Sequence, residues 1–315
     1  MSVITQPVRG PQGDPAGAAP PAPEVPRRKK TSFSGALYIL PSFAVLTLIL
    51  LVPLTLSFYY SLTDYSILDS PKFVGTDNYT RLVSDPAFKR ALITTLLYTV
   101  MVVPVQTIIS MGIATAVARR FRGLFGSVVR STLFIPVIAS MVLVGAVWRA
   151  FLGSEAGLLN QMLGVVGIGP INWLGQPTLA LVMVAVVTVW KNIGYFLVIY
   201  YAGVMDIPAE RYEAAELDGA TSWQQFRYVT VPGLRPVTLL VVILGTIWSF
   251  QVFDLVYTLT GGGPGGASVT LVMEIYRVGF KNYQLGYASA MAVILFFIVL
   301  IISILQRKFL SKEES

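Results

Sequence analysis

An all-α integral membrane protein with six helical spans is the fold class this sequence predicts, and three observations carry it. Of the 315 residues, 55% are hydrophobic and only 12% charged, where a soluble domain carries about 25% charged residues. The mean hydropathy is +0.69. Apolar stretches of about 20 residues recur along the chain, each long enough to cross ~30 Å of hydrocarbon as a helix.

Taken in order, the first element is a tail. Residues 1–34 hold seven prolines within the first 26 positions and no apolar periodicity, so they are expected to form a disordered cytoplasmic segment. Arg27, Arg28, Lys29 and Lys30 then lead into an apolar stretch over 35–62, which is too long for a signal sequence and is followed by no A-x-A-like site. A retained first span is expected. The further spans are 91–118, 131–152, 177–203, 236–260 and 286–306, which makes 35–306 the transmembrane domain and 307–315 a short cytoplasmic end. Pro41, Pro53, Pro104 and Pro136 lie inside spans and predict kinks rather than breaks, because neighbouring helices can satisfy the freed backbone groups.

Charge sets the expected orientation. Fifteen of the 23 Lys and Arg residues lie in the tail, in 119–130, in 204–235 and at the carboxyl end, against six in 63–90, 153–176 and 261–285. Both termini and the two basic loops are therefore expected in the cytoplasm. The net charge of +7 follows from this topology, and no nucleic-acid partner is expected. Cysteine and histidine are both absent, which excludes disulfides, thiolate nucleophiles, Cys/His zinc sites and triads with an imidazole base.

Between the last two spans, Gly261-Gly262-Gly263-Pro264-Gly265-Gly266 reads as a flexible external connector, and 268–280 as a short amphipathic helix near the outer surface. The glycines do not form a phosphate loop, since G-x-x-x-x-G-K-[ST] occurs nowhere. No metal site, catalytic group or cofactor is expected in this chain.

The informative segment is the cytoplasmic loop 204–235. Pro208 opens a short helix that Gly219 stops with a left-handed turn, and Thr221 with Gln224, or Ser222 with Gln225, offers a capping box for a second helix that Pro232 closes. This helix-turn-helix would leave Tyr212, Ala215, Trp223, Phe226 and Tyr228 in water unless covered, and a partner protein is the expected cover. The alternative is that these side chains lie on the membrane surface or fold against the other cytoplasmic loop.

Here the sequence resembles a known family. Glu213-Ala214-Ala215, Gly219, Val229 and Val231-Pro232 fit the pattern E-A-A-x3-G-x9-I-x-L-P of permease subunits of binding-protein-dependent ABC importers, with valine for both the isoleucine and the leucine. Phe73-Val74-Gly75-Thr76-Asp77-Asn78-Tyr79, Trp190-Lys191-Asn192, Phe250-Gln251-Val252-Phe253-Asp254 and Thr260 with the glycines that follow it are similar to the carbohydrate branch, the maltose or glycerol-phosphate type, and within it to the first of two permeases. The resemblance implies a type I importer transmembrane domain in a bacterial inner or plasma membrane. Its implied partners are a second homologous permease, an ABC ATPase dimer that uses ATP and Mg2+, and an extracytoplasmic sugar-binding protein, besides membrane lipid. It also implies that Glu213, Ala214, Ala215, Gly219 and Pro232 belong to the ATPase-coupling element.

Ionisable and polar residues at membrane depth are costly, so Lys191, Asn192, Gln251, Asp254 and Tyr257 are the candidates for a substrate pathway. Arg149, near the end of its span, is expected to snorkel. At 1.5 Å per residue Lys191 sits about 21 Å and Asp254 about 9 Å from the outer end, so they can pair only if span five is tilted or broken. Trp248, Gln251, Asp254 or Leu255, and Thr258 recur at helical spacing on that span, beside Phe250, Phe253 and Tyr257. Such a stripe is ordinary packing, or the mixture of polar groups and rings that a sugar needs. A stand-alone secondary transporter or channel is the competing function. A membrane enzyme using the five acids of 206–218 is the other, and nothing else in the chain supports its chemistry.

Overall fold

The computed structural model describes residues 33–121, 123–154 and 157–311. The proline-rich tail, the Arg27 to Lys30 cluster and residues 312–315 lie outside the described residues. The chain divides into two compact units, residues 1–52 and 53–315. In the first, α1 (Phe33–Leu46) runs through Pro41 into a π-helical turn at Thr47–Leu51. Pro53 follows within α2 (Val52–Ser61).

In the second unit, α2 is followed by a hairpin of β1 (Thr63–Ser66) and β2 (Asp69–Phe73), antiparallel with Thr63 opposite Phe73. Next come α3 (Asp77–Ser84) and the 34-residue α4 (Pro86–Arg119). Asp85 starts α4 by accepting from the Ala87 and Phe88 amides at 2.7 and 3.4 Å, with Pro86 pre-set for the first turn. Pro104 lies inside without breaking it. The helices α5 (Leu124–Ile138), α6 (Met141–Phe151), α7 (Leu158–Val165) and α8 (Pro177–Met205) follow. The loop helices are α9 (Ala209–Leu217), α10 (Ser222–Gln225) and α11 (Val231–Gly233), and the chain ends with α12 (Arg235–Phe250), α13 (Asp254–Leu259), α14 (Leu271–Tyr276) and α15 (Leu285–Ser311).

The apolar stretches do become helices, but two of the six expected spans are broken. Span three is α5 and α6, bent by 97° where Ala139 and Ser140 turn extended. Pro136 therefore lies just ahead of a break, not within a kink. Span five ends as α12 at Phe250, and α13 resumes only at Asp254, so no single helix joins loop 204–235 to the glycine connector. The breaks are tolerated because other elements supply the missing hydrogen bonds. Thr270 donates to the Val252 carbonyl at 3.0 Å, Lys191 to the Val137 carbonyl at 3.2 Å, and the Ser140 hydroxyl accepts from the Leu143 amide.

The interior forms two cores along α4 and α8. One gathers Tyr98, Val102, Val184, Val187, Leu255 and Met291, and the other Ala114, Phe196, Leu197, Tyr200, Leu234 and Val241. Lys191 and Asn192 fall between them on α8. At the Asp85 end, Asn78 donates to the Ser61 and Thr63 carbonyls, both at 2.9 Å, and Tyr79 bonds Ser61 at 2.7 Å. Tyr287 donates to Asp85 at 2.6 Å, while Arg81 bonds Gln284 at 3.0 Å and lies 3.9 Å over the Tyr287 ring. Burial alone would raise the Asp85 carboxyl, but the Tyr287 hydroxyl, the two capping amides and Arg81 outweigh it and hold it below its ordinary value.

The region after α13 differs from expectation in two ways. The glycine connector is pinned rather than loose: Ser268 donates to the Gly263 carbonyl at 2.7 Å and bonds Thr260 at 2.8 Å, and Arg277 reaches the Gly261 carbonyl at 3.2 Å. The helix expected at the surface over 268–280 is α14 with a π-helical turn at Arg277–Lys281, and it is embedded, with Ser268, Thr270, Leu271, Met273 and Val278 buried. Thr95 of α4 takes its leading amide, from Leu271, at 2.8 Å.

Candidate functional site

Two places gather the residues singled out above. The first is the helix-turn-helix of loop 204–235. Its first helix starts at Ala209, with Pro208 in the capping position. It ends as a Schellman turn: Ala220 donates to the Ala215 carbonyl at 2.8 Å and Gly219 to the Glu216 carbonyl at 3.0 Å. Gly219 takes φ +77°, a region where a Cβ is strained. Thr221 and Gln224 form the capping box of α10, and the Ser222 and Gln225 alternative is not used. Pro232 does not close the second helix. A π-helical turn at Phe226–Thr230 makes room for its ring, and the helix runs through α11 to Gly233 before bending 69° into α12.

Glu213, Ala214, Gly219 and Pro232 are exposed, and Ala215 is half-buried. Of the side chains expected to need cover, Trp223 and Tyr228 are 68% and 70% exposed, and Leu217 is exposed as well. Tyr212 and Phe226 are half-buried. Tyr212 lies 3.8 Å below the Arg119 guanidinium and bonds Thr230 at 3.0 Å, and Phe226 stacks on Trp223. The alternative of folding against the other basic loop thus holds for Tyr212 and not for Trp223. Arg119 also donates to Gln225 at 2.8 Å. Sequence reasoning counted Arg119 as topological charge alone, and its position as the last residue of a long helix was the signal it left unused.

The second place is a cavity of ≈390 Å3 at the seam between the two cores. Its wall includes Val137 and Met141 at the first break, Lys191, Asn192 and Tyr195 on α8, and Trp248, Gln251, Phe253 and Asp254 at the second. The helical stripe expected on span five does not exist as such, because Gln251, Val252 and Phe253 leave the helix. Phe250 and Leu255 are buried in the interior, while Gln251, Asp254 and Tyr257 are exposed. Tyr257 lies off this cavity, stacked on Phe253 at 5.4 Å and edge-on to Tyr276. Arg149 is exposed in the last turn of α6.

Breaking span five brings Asp254 to the same cavity as Lys191, which counting residues along a straight helix had placed about 12 Å apart in depth. They do not form an ion pair. The ammonium instead serves the Val137 carbonyl near the end of α5, where a cation also complements the helix dipole. The resulting wall carries a carboxylate, two amides, an ammonium and the rings of Tyr195, Trp248 and Phe253. Hydroxyl-rich rings fit such a wall, since polar groups meet hydroxyls and aromatic faces meet ring C–H surfaces.

Comparison with known proteins follows the same lines. The family model of binding-protein-dependent transport system inner membrane components matches residues 83–313. The chain is 34% identical over 283 residues to the probable ABC transporter permease protein YurN of Bacillus subtilis, covering 88% of this chain and 97% of that one. It is 33% identical over 278 residues to the trehalose/maltose transport system permease protein MalF of Thermococcus litoralis, covering 87% and 92%. It is 32% identical over 281 residues to the lactose transport system permease protein LacF of Rhizobium radiobacter, again covering 87% and 92%. Among solved structures, a chain of a bacterial ABC transporter involved in the import of the acidic polysaccharide alginate shares the fold, with a TM-score of 0.78 at 21% identity, covering 89% and 96%.

Proposed function

The chain belongs to the family of binding-protein-dependent transport system inner membrane components, and from that premise we propose that it forms part of the path by which an ATP-driven importer moves a sugar or oligosaccharide. The observation that carries this reading is the projecting helix-turn-helix, whose Glu213-Ala214-Ala215 and Gly219 stand in the family pattern while Leu217, Trp223 and Tyr228 remain uncovered. A membrane helix pair that presents apolar side chains to water is built to be covered by another protein. The natural cover is a separate ATPase, which would use the ATP and Mg2+ for which this chain has no phosphate loop.

The substrate class rests on two supports. Relatives named for trehalose/maltose and lactose transport align over most of their length. The cavity wall combines Gln251, Asn192 and Asp254 with Tyr195, Trp248 and Phe253, as hydroxyls and pyranose faces require. In this reading both termini and loop 204–235 are cytoplasmic, as the Lys and Arg bias favours, and the Asp85 end faces the binding protein. A second, related permease completes the path, and alternation between outward and inward openings moves the sugar. The two broken spans border the cavity, so the backbone that changes shape would be the backbone that meets substrate.

The test is the complete transporter in vesicles. Sugar-loaded binding protein should raise ATP hydrolysis and drive sugar uptake, with maltose-like and lactose-like sugars compared in one panel. Uptake that proceeds without nucleotide would show a secondary transporter instead.

A further inference from the structure

We propose that Arg119 is the joint through which movement of loop 204–235 is transmitted to the long helix α4, an inference that rests on the coupling role proposed above for that loop. Arg119 is the last residue of α4 and makes two different contacts at once. Its guanidinium carbon lies 3.8 Å over the centre of the Tyr212 ring, and one of its nitrogens donates to the Gln225 side chain at 2.8 Å. Tyr212 belongs to α9, next to Glu213, whereas Gln225 closes α10. One side chain thus ties both helices of the loop to the end of one membrane helix.

The contacts behind it are built to hold. Gln225 is 8% exposed and donates back to the Ala220 carbonyl, just past the Gly219 turn, at 3.3 Å. Thr230 is fully buried, bonds the Tyr212 hydroxyl at 3.0 Å, and donates to the Gln225 carbonyl at 3.5 Å. The turn, the first helix and the second helix therefore converge on a single cation. A planar guanidinium is suited to this task because it stacks on a ring while its edge donates in the same plane, which a lysine ammonium cannot do. Arg119 is a positioning residue: it lies outside the cavity lined by Lys191 and Asp254, and its effect is the tightness with which α4 follows α9.

Two readouts test this in the complete transporter. Hydrogen exchange of the amides in 209–217 reads the joint itself, and ATP hydrolysed per sugar imported reads transmission. R119A should speed exchange in 209–217 several-fold and raise the ATP-to-sugar ratio at least about fivefold, while ATPase association is kept. R119K should fall between R119A and wild type. Y212L removes the ring from an aqueous helix and leaves the membrane helices intact, so it should reproduce R119A, and R119A/Y212L should be no worse than either alone. Y212L decides the matter should R119A fail to assemble. Unchanged exchange in Y212L overturns the joint, and faster exchange with an unchanged ratio overturns transmission. A wild-type complex that ignores binding protein overturns the proposed function, and the exchange data still judge the joint.

Discussion

The turn at Gly219 and the break at Gln251-Val252-Phe253 both interrupt helical chain, yet they are held in opposite ways. At Gly219 the signals are local: a glycine at φ +77°, a capping box from Thr221 to Gln224, and carbonyls served by amides at most five residues away. At 251–253 there is neither glycine nor proline, and the freed Val252 carbonyl is served by Thr270, 18 residues on. The first lies in an exposed loop, where water satisfies whatever the chain does not. The second lies within an apolar helix run, where every backbone group needs a protein partner. An exposed turn can be written in adjacent residues, while an embedded one has to be written in two distant places.

Substitutions sharpen this contrast. The largest effect is expected at the local turn, where Gly219→Val should abolish uptake while Gly219→Ala retains part of it. Positive φ costs an alanine about 1–2 kcal/mol and a β-branched residue more. Uptake assays with membrane-level controls check this, and equal uptake by the two variants would show that the turn tolerates any residue. At the distant break, Asp254→Leu should abolish uptake without loss of assembly, and Asp254→Asn should retain part of it. Normal transport by the leucine variant would remove Asp254 from the path.

A smaller effect is expected at the hydrogen bond that makes the break possible. Thr270→Val leaves the Val252 carbonyl without its donor and should lower stability by about 1–3 kcal/mol, read as a drop in the melting temperature of the detergent-solubilised complex. Thr270→Ser should restore it. The smallest concerns Asp85. Its carboxyl is held below the ordinary value, so its contribution is complete above the usual carboxylate range and fades as pH falls through the depressed folded value. Asp85→Asn should flatten that acid limb of a stability-against-pH curve and cost less than ~1 kcal/mol at neutral pH, because asparagine still caps a helix.

The comparison also explains what could be read from sequence. Apolar runs located all six stretches of helix, and Pro208, Gly219, Thr221 and Gln224 located the loop to within a residue or two. Assigning Pro232 as a stop failed because a π-helical turn absorbs a proline. The straight span five failed because its break depends on Thr270, and the Lys191 depth misled because α5 ends against that side chain. Arg119 went unread for the same reason: its contacts are with residues 93 and 106 positions away. The tail and its basic cluster lie beyond what the structure describes.

The seating of α8 bears on how the protein is made. Three of its polar groups meet partners that precede it in the chain: Thr188 receives the Tyr98 hydroxyl, the Ile193 carbonyl receives Ser110, and Lys191 finds the Val137 carbonyl, while Tyr200 near its far end donates to Thr238 of the later α12 at 3.2 Å. A lysine near the middle of a lone helix opposes membrane insertion by about 2.5–3.5 kcal/mol. During synthesis, however, α4 and α5 have left the ribosome before α8 emerges, and they present two hydroxyls and a carbonyl at the depths where α8 needs them. The order of the genetic message thereby becomes an order of assembly. A nascent chain halted after Met205 already carries the partners of Thr188, Lys191 and Ile193, and the Tyr200 hydroxyl alone of these four is seated when Thr238 of α12 follows.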